Sequence, residues 1–194
     1  MYLYYLLNFL IEWHQVCFRL NSNKIYKYMK KLILSMTALF LTLSVSSQTI
    51  VDAAASNKDF STLVTALKAA DLVGALSGDG PFTVFAPNND AFGKIDSETL
   101  GSLLKPENVK ALSNILTYHV VSGKLMAIDV TKALKKGYGR TKLTALNGQT
   151  FVARSKDGKI FLKDQNGNMS QIIATDVVGS NGVIHVIDSV IMPE

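Results

Sequence analysis

The second half of the chain is constrained most strongly by four dipeptides that favour tight turns. Each separates two short apolar runs, and they are Asn147-Gly148, Asp157-Gly158, Asn166-Gly167 and Asn181-Gly182. Asparagine or aspartate followed by glycine adopts the positive φ angles that two-residue hairpins need. The stretch "KLTALNGQTFVARSKDGKIFLKD" (142–164) therefore predicts an antiparallel β-meander. The last run, "GVIHVIDSVIMP" (182–193), is apolar on both faces of a two-residue period, which predicts a central strand covered on both sides.

The first half has the periodicity of helices. Four residues follow the i, i+3, i+4, i+7 spacing of one helix face: Phe60, Leu63, Val64 and Leu67. Further helices are predicted at 72–76, at 97–104 and from Pro106 onward, since proline suits the first turn of a helix. A short apolar run at 82–86 predicts a buried strand. Helices followed by strands predict one α+β domain, with a helical N-terminal half and a β-rich C-terminal half.

The charge of the chain is unevenly distributed. Of its 194 residues, 20 are Lys or Arg and 15 are Asp or Glu, which gives a net charge of +5. Residues 1–47 hold five basic residues and one acidic residue, which leaves 15 basic and 14 acidic residues in 48–194. No basic patch is predicted in that nearly neutral part beyond the Lys135-Lys136 pair, so no nucleic-acid partner is expected.

A secretory signal is predicted at residues 29–47. The segment "MKKLILSMTALFLTLSVSSQT" begins at Met29 with two lysines, followed by an apolar run too short to span a bilayer comfortably. Val45 and Ser47 suit the −3 and −1 positions of a cleavage site, so Gln48 is the expected first residue of the mature chain. The predicted location is extracellular or periplasmic, and a lysine pair followed by a short apolar run is typical of a bacterial signal.

Residues 1–28 have two interpretations. They are either an upstream extension that arises from a wrongly chosen start or a membrane anchor built on "MYLYYLLNFLI", which Glu12 and His14 interrupt. On the second interpretation, an uncleaved N-terminus would be the only contact with a membrane. The single cysteine, Cys17, lies in this segment, so residues 48–194 can form no disulfide.

The corner "TVFAPNNDAF" (83–92) has two possible explanations. Its polar residues could form a catalytic or metal-binding loop, or they could start a helix. Pro87 suits a turn after the strand, Asn88 or Asn89 suits the N-cap, and Asp90 suits the first helical turn. No further metal ligands with convergent spacing lie nearby, which favours the helix cap.

No catalytic constellation is predicted. The two histidines of the mature chain, His119 and His185, accompany no nucleophile motif and are too few for a zinc site. The stretch "DQNGNMS" (164–170) has its glycine at position four rather than six and lacks a glutamate at position twelve, which excludes an EF-hand calcium loop. We therefore expect no metal and no cofactor.

Three motifs resemble the fasciclin-like domain family. "GPFTVFAPNNDAF" (80–92) is similar to the first sequence box of that family, and "NGVIHVIDSVIMP" (181–193) is similar to the second. "LTYHVVSGK" (116–124) resembles its central Tyr-His segment, and together the motifs span a single domain at 48–194. The resemblance implies a compact α+β wedge of two small β-sheets with several helices packed alongside.

The resemblance also implies which residues matter. In animal members the Tyr-His segment has been linked to integrin binding, and the matching residues here are Leu116, Tyr118, His119 and Val121. The residues that match the two boxes are expected to be structural: Thr83, Pro87, Asn89, Asp90, Phe92, His185 and Asp188. If Tyr118 and His119 lie in a regular strand, one side chain points inward and the other outward.

Two functions from different classes follow. The first, which the resemblance favours, is a secreted or cell-surface adhesion module without catalytic activity. Its partner would be an extracellular protein or polysaccharide, self-association is possible, and candidate contacts are Lys135, Lys136, Tyr138 and Arg140. A structural coat protein without a high-affinity ligand cannot be separated from it by sequence. The alternative is a periplasmic small-ligand-binding or hydrolytic protein that uses His119 or His185, which requires an exposed histidine.

Overall fold

The structure is a computed structural model, and it describes residues 48–194. The predicted upstream segment (1–28) and the predicted signal (29–47) lie outside the described residues. Residues Ser47–Glu194 form one compact unit. Among the residues described, no helix combines the length and the apolar character needed to cross a bilayer.

Seven helices and seven strands build this part of the chain. The helices are α1 (Ile50–Ser56), α2 (Ser61–Ala69), α3 (Val73–Ser77), α4 (Asn89–Gly93), α5 (Ser97–Leu103), α6 (Val109–Tyr118) and α7 (Ala127–Lys136). The strands are β1 (Phe82–Pro87), β2 (Val120–Ser122), β3 (Arg140–Thr144), β4 (Thr150–Lys156), β5 (Lys159–Lys163), β6 (Met169–Gly179) and β7 (Gly182–Ile187). Short 3₁₀ turns precede α2 (Lys58–Phe60) and α6 (Pro106–Asn108). The predicted helices at 72–76, at 97–104 and after Pro106 are therefore confirmed within a few residues.

The strands form one hydrogen-bonded order, β2-β1-β7-β6-β5-β4-β3. β1 and β7 are parallel, and the other neighbours are antiparallel. The two ends of this order meet, because Val121 of β2 forms a bridge with Ala145 and the Leu146 N–H donates to the Val120 carbonyl at 2.8 Å. The sheet therefore curls back on itself.

The α+β class is confirmed by this architecture, whereas the pair of small sheets and the division into two halves stay predictions. The strands fall into two groups that share β6, because β6 pairs with β5 at Met169–Gln171 and with β7 from Ile172 to Gly179, with changes of register between Ile172 and Val177. Six of the seven helices described precede β2 and five of the seven strands follow α7, so helices are concentrated in the first half of residues 48–194 and strands in the second, with β1, β2 and α7 as the departures. A two-residue period cannot show which strands are neighbours, so the sequence could not predict this order.

The predicted positive φ angles occur at three of the four turn dipeptides. They are found at Gly148 (84°), at Asp157 and Gly158 (51° and 74°), and at Gly167 (91°). At the fourth dipeptide the prediction was wrong, because Gly182 is the first residue of β7 rather than a turn residue. A Cβ atom there would collide with the carbonyl oxygen of Phe82 and press on Ile50, so this glycine is needed for close approach.

Two hydrophobic cores lie on opposite faces of β1 and β7. One core joins the strands to helices α1–α6 and includes Ala86, Ile184 and Val186. The other includes Phe85 and Ile187 together with α7 and the inner face of β3–β5. All six residues of β7 are buried, which confirms the prediction of a central strand covered on both sides.

The close contact at Gly182 gives a direct test of the fold. Replacing Gly182 with alanine should lower the free energy of unfolding by about 2–3 kcal/mol, because the new methyl group has to displace the backbone of β1. Gly101→Ala is a matched control in α5, where a Cβ atom meets nothing within 4 Å. This control should raise stability by roughly 0.5–1 kcal/mol, since alanine is the better helix former. Urea unfolding measures the free energy of unfolding of both variants. Equal changes in the two variants would contradict the close packing at Gly182.

Candidate functional site

The two sequence boxes are adjacent strands. β1 and β7 pair in parallel register from Phe82 opposite Gly182 to Pro87 opposite Ile187. The Tyr-His segment lies on the other side of β1, where β2 pairs antiparallel with it. The three motifs thus form a single structural unit at the centre of the domain.

The corner after β1 caps a helix, as the sequence predicted. The side chain of Asn88, rather than Asn89, accepts a hydrogen bond from the Ala91 N–H at 2.9 Å and forms the N-cap of α4. Asp90 is exposed in the first turn of α4. Pro87 was expected in the turn, but it is the buried last residue of β1 and pairs with Ile187.

Asn89 links this corner to the start of α2. Its amide nitrogen donates to the Lys58 carbonyl at 2.9 Å, and its amide oxygen accepts from the Thr62 N–H at 3.1 Å. The same side chain lies within hydrogen-bond distance of the Ser61 hydroxyl. The sequence predicted only a capping role for Asn89, because its contact with Lys58 joins residues about 30 positions apart.

The remaining box residues are also used internally. The hydroxyl of Thr83 donates to the Gly123 carbonyl at 2.6 Å and accepts from the Leu125 N–H at 2.9 Å, which holds the loop after β2. Phe92 is buried in the core beneath the helices. The Asp188 carboxylate accepts from the Gln171 N–H at 2.8 Å and pairs with Lys94 at 3.3 Å. Partial burial raises the pKa of Asp188, but these hydrogen bonds outweigh that effect and lower the pKa below its usual 3.8.

Tyr118 and His119 do not alternate on a strand as predicted. Tyr118 is the last residue of α6, His119 is its C-cap, and the strand begins only at Val120. Leu116, Tyr118, His119 and Val121 are all buried, with at most 5 % of any of these residues exposed. The Tyr118 ring packs edge-on against Phe151 at 5.5 Å, and its hydroxyl donates to the Thr150 carbonyl. Burial raises the pKa of the Tyr118 phenol, which keeps it neutral.

Both ring nitrogens of His119 have backbone partners. The Ile191 N–H donates to Nε2 at 3.1 Å, so Nδ1 carries the proton and donates to the Ile115 carbonyl at 2.8 Å. If Nε2 of His119 were protonated, its N–H would face the Ile191 N–H, and neither donor would have an acceptor. Burial lowers the pKa of His119 to about 4, although the hydrogen bond to Ile115 opposes that effect. This histidine therefore ties the C-terminal segment to α6.

His185 is held in the opposite tautomer. The Asp176 N–H donates to its Nδ1 at 3.4 Å, and its Nε2 donates to the Leu125 carbonyl at 2.7 Å. The cavity beside His119 has a volume of about 10 Å³ and an apolar lining, which is room for one water at most. Neither histidine has a free ring nitrogen.

Metal ligands do not converge within residues 48–194, where no group of three or more His, Cys, Asp or Glu side chains could hold an ion. The stretch at 164–170 closes the turn between β5 and β6. Both carboxylate oxygens of Asp164 accept hydrogen bonds from Asn168, and one also accepts from the Met192 N–H.

One surface of the domain, the outward side of β3–β5, was not predicted from the sequence. No basic patch beyond Lys135-Lys136 was predicted, but the register of β3–β5 collects six cations on the outward side of the sheet: Arg140, Lys142, Arg154, Lys156, Lys159 and Lys163. We call these six residues the basic face. Basic residues two apart in predicted strands (140 and 142, 154 and 156) could have indicated it, once the hairpin turns fixed the strand pairing.

The comparisons with known proteins agree with this architecture. A pair of FAS1 domains from the insect cell adhesion molecule fasciclin I matches with a TM-score of 0.65 at 19 % identity, over 73 % of this chain and 50 % of that one. This likeness shows the fold. Residues 58–193 match the fasciclin domain family model.

Two relatives extend the match. Protein sll1483 of Synechocystis sp. is 51 % identical over 148 residues, which cover 76 % of this chain and 75 % of that protein. Human periostin is 35 % identical over 142 residues, which cover 71 % of this chain but only 15 % of periostin. The chain belongs to the fasciclin domain family, which confirms the resemblance drawn from the three motifs.

The burial of His119 predicts a pH dependence of stability. Its folded pKa of about 4 lies below its ordinary 6.5, so the folded state binds fewer protons than the unfolded state between these values. Stability should therefore fall by roughly 3 kcal/mol as the pH drops from 6.5 to 4. Asp188, whose pKa is lowered from 3.8, titrates below this window.

Urea unfolding between pH 7 and pH 4 measures the effect. His119→Gln serves as the non-titrating control, and its stability should change less over this range. An NMR titration of the His119 ring in the folded protein gives an independent readout. A ring that becomes protonated near pH 6.5 would contradict its assignment as a neutral structural group.

Proposed function

We propose that this protein is a secreted or cell-surface adhesion module that binds an extracellular partner and catalyses no reaction. The observation that carries the proposal is the burial of Thr83, His119 and His185 in the three motif segments, where each side chain is hydrogen-bonded to backbone groups of the same domain. A binding module requires only exposed contact area, whereas an enzyme requires an accessible acid, base or nucleophile.

The relationship to an insect cell adhesion molecule supports the same class of function. The alternative, a hydrolytic or ligand-binding protein that uses His119 or His185, finds little support, because both histidines are buried and bound to backbone groups. We therefore place the partner contacts on the outer surface.

Direct contact through Tyr118 and His119 would require this segment to open. Opening would break the bonds of His119 to Ile115 and Ile191 and expose the ring of Tyr118. Burying a large side chain contributes about 1.5–3 kcal/mol, which such a contact would have to offset. Exposed groups such as Tyr138 (99 % exposed) and Ile128 (61 %) need no such rearrangement.

The proposed location is outside the cytoplasm, after cleavage of residues 29–47. Intact mass and N-terminal sequencing of the protein from culture medium and from washed cells should show a chain that starts near Gln48 in the medium. A chain that keeps residues 1–47 and sediments with membranes would contradict release and would favour an anchored domain.

Adhesion itself is tested by binding to surfaces. Fluorescently labelled protein should bind whole cells or extracted extracellular polymer, and the binding should saturate and be displaced by unlabelled protein. Sedimentation equilibrium on the same preparation measures self-association. An absence of saturable binding across several cell types and extracts would contradict the proposed function.

A further inference from the structure

The register of three strands gathers six cations on one outward surface. Directly opposed residues in a sheet point to the same side, so the pairs of Arg140 with Arg154, Arg154 with Phe161, and Lys156 with Lys159 share one face. The pair of Val152 with Lys163 continues that face. The opposite face carries Phe151, Ala153 and Leu162, which are buried in the core. The basic face is therefore the solvent side of β3–β5.

This surface combines like charges, and the acidic residues next to it in the sequence are Asp157, in the turn between β4 and β5, and the buried Asp164, after β5. Twelve positions of β3–β6 share the outward face: the six cations together with Thr144, Thr150, Val152, Phe161, Met169 and Gln171. None of the twelve is Asp or Glu, although residues 48–194 contain 14 acidic and 15 basic residues. The ion pair found in the described part of the chain, Lys94 with Asp188, lies elsewhere.

The arrangement is unfavourable for the isolated domain. Like charges directly opposite one another on adjacent strands repel, and here Arg140 faces Arg154 while Lys156 faces Lys159. Five of the six cations are exposed and Lys163 is half-buried, so all of them can reach a ligand laid across the strands. An anionic partner would relieve the repulsion that the fold alone leaves in place.

We infer that the basic face binds a linear acidic polysaccharide, and this inference rests on the proposed adhesive function. Neighbouring strands lie about 4.8 Å apart and alternate residues about 6.6 Å apart, so the cations form a regularly spaced array that suits an extended chain with repeated carboxylates or sulfates. Thr144, Thr150 and Gln171 supply neutral hydrogen-bonding groups on the same face, as a hydroxyl-rich polymer requires.

The side chains between the cations disfavour two other polyanions. Single-stranded nucleic acids stack their bases on rows of aromatic residues, and the only aromatic residue among the twelve positions is the half-buried Phe161. Membrane surfaces are bound by helices with a broad apolar face, whereas the only exposed apolar residue among these positions is Met169. The twelve positions therefore combine charge with hydroxyl and amide groups, which matches an acidic sugar polymer.

Charge reversal tests the assignment. The face variant is Arg140→Glu, Arg154→Glu and Lys163→Glu, and the control variant is Lys68→Glu, Lys105→Glu and Lys110→Glu. The control lysines are exposed and lie outside the sheet, and both variants have the same net charge. Binding of the full-length protein to polygalacturonate and to dextran sulfate is measured at 150 mM salt, with neutral dextran as a blank. Circular dichroism checks that each variant is folded.

For each acidic polymer, the control variant should bind with an affinity similar to that of the wild-type protein. The face variant should bind at least about tenfold more weakly. Equal losses in the two variants would show a net-charge effect and would overturn the inference. Tighter binding to a DNA oligonucleotide or to phosphatidylserine vesicles would overturn the polysaccharide assignment. If the face variant binds cells as tightly as the wild type does, the inference is wrong but the adhesive function stands. If none of the three proteins binds cells, the adhesive function itself is contradicted.

Discussion

The structure depends on the parallel pairing of β1 with β7. Six residues of each strand pair in register, and hydrophobic cores cover both faces of the pair. Parallel strands buried in this way need apolar side chains on both faces, which explains the composition of the two boxes. Close approach of the strands also excludes a side chain at Gly182. Around this pair, Thr83, Asn89 and His119 each fasten a segment that is distant in the sequence.

The residues that stabilise the fold differ from those proposed to bind a partner. Most of the residues that make the chain recognisable as a fasciclin domain are buried, where a change of size or charge disturbs packing, whereas Asp90 is exposed. The outward face of β3–β5 adds little to the hydrophobic cores, because six of its ten side chains are exposed and the other four are half-buried. On the proposed function, partner contacts are made by this sheet, whereas β1, β7 and the Tyr-His segment stabilise the fold. Conspicuous motifs in a chain of this kind indicate how it folds and give little information about what it binds.

Sequence patterns predicted the local structure well where local physics decides it. The helical period at Phe60–Leu67, the Asp157-Gly158 hairpin and the cap at Asn88 each depend on neighbouring residues alone. Errors arose where distant segments decide the outcome. Tyr118 lies in a segment of strand composition but ends a helix, and its ring packs against Phe151, which is distant in the sequence. The net charge of the chain does not indicate the basic face, since only the register of three strands shows that these cations lie on one side of the sheet.

The most direct test of this account is an NMR map of the surface that binds ligand. Titrating polygalacturonate into ¹⁵N-labelled protein should shift amide signals of β3, β4 and β5, and leave those of β1, β7 and residues 116–124 unchanged. That result would separate the recognition surface from the structural motifs. If the largest shifts instead occur at Tyr118 and His119, the motif segment opens to bind its partner, and the account of that segment as purely structural is wrong.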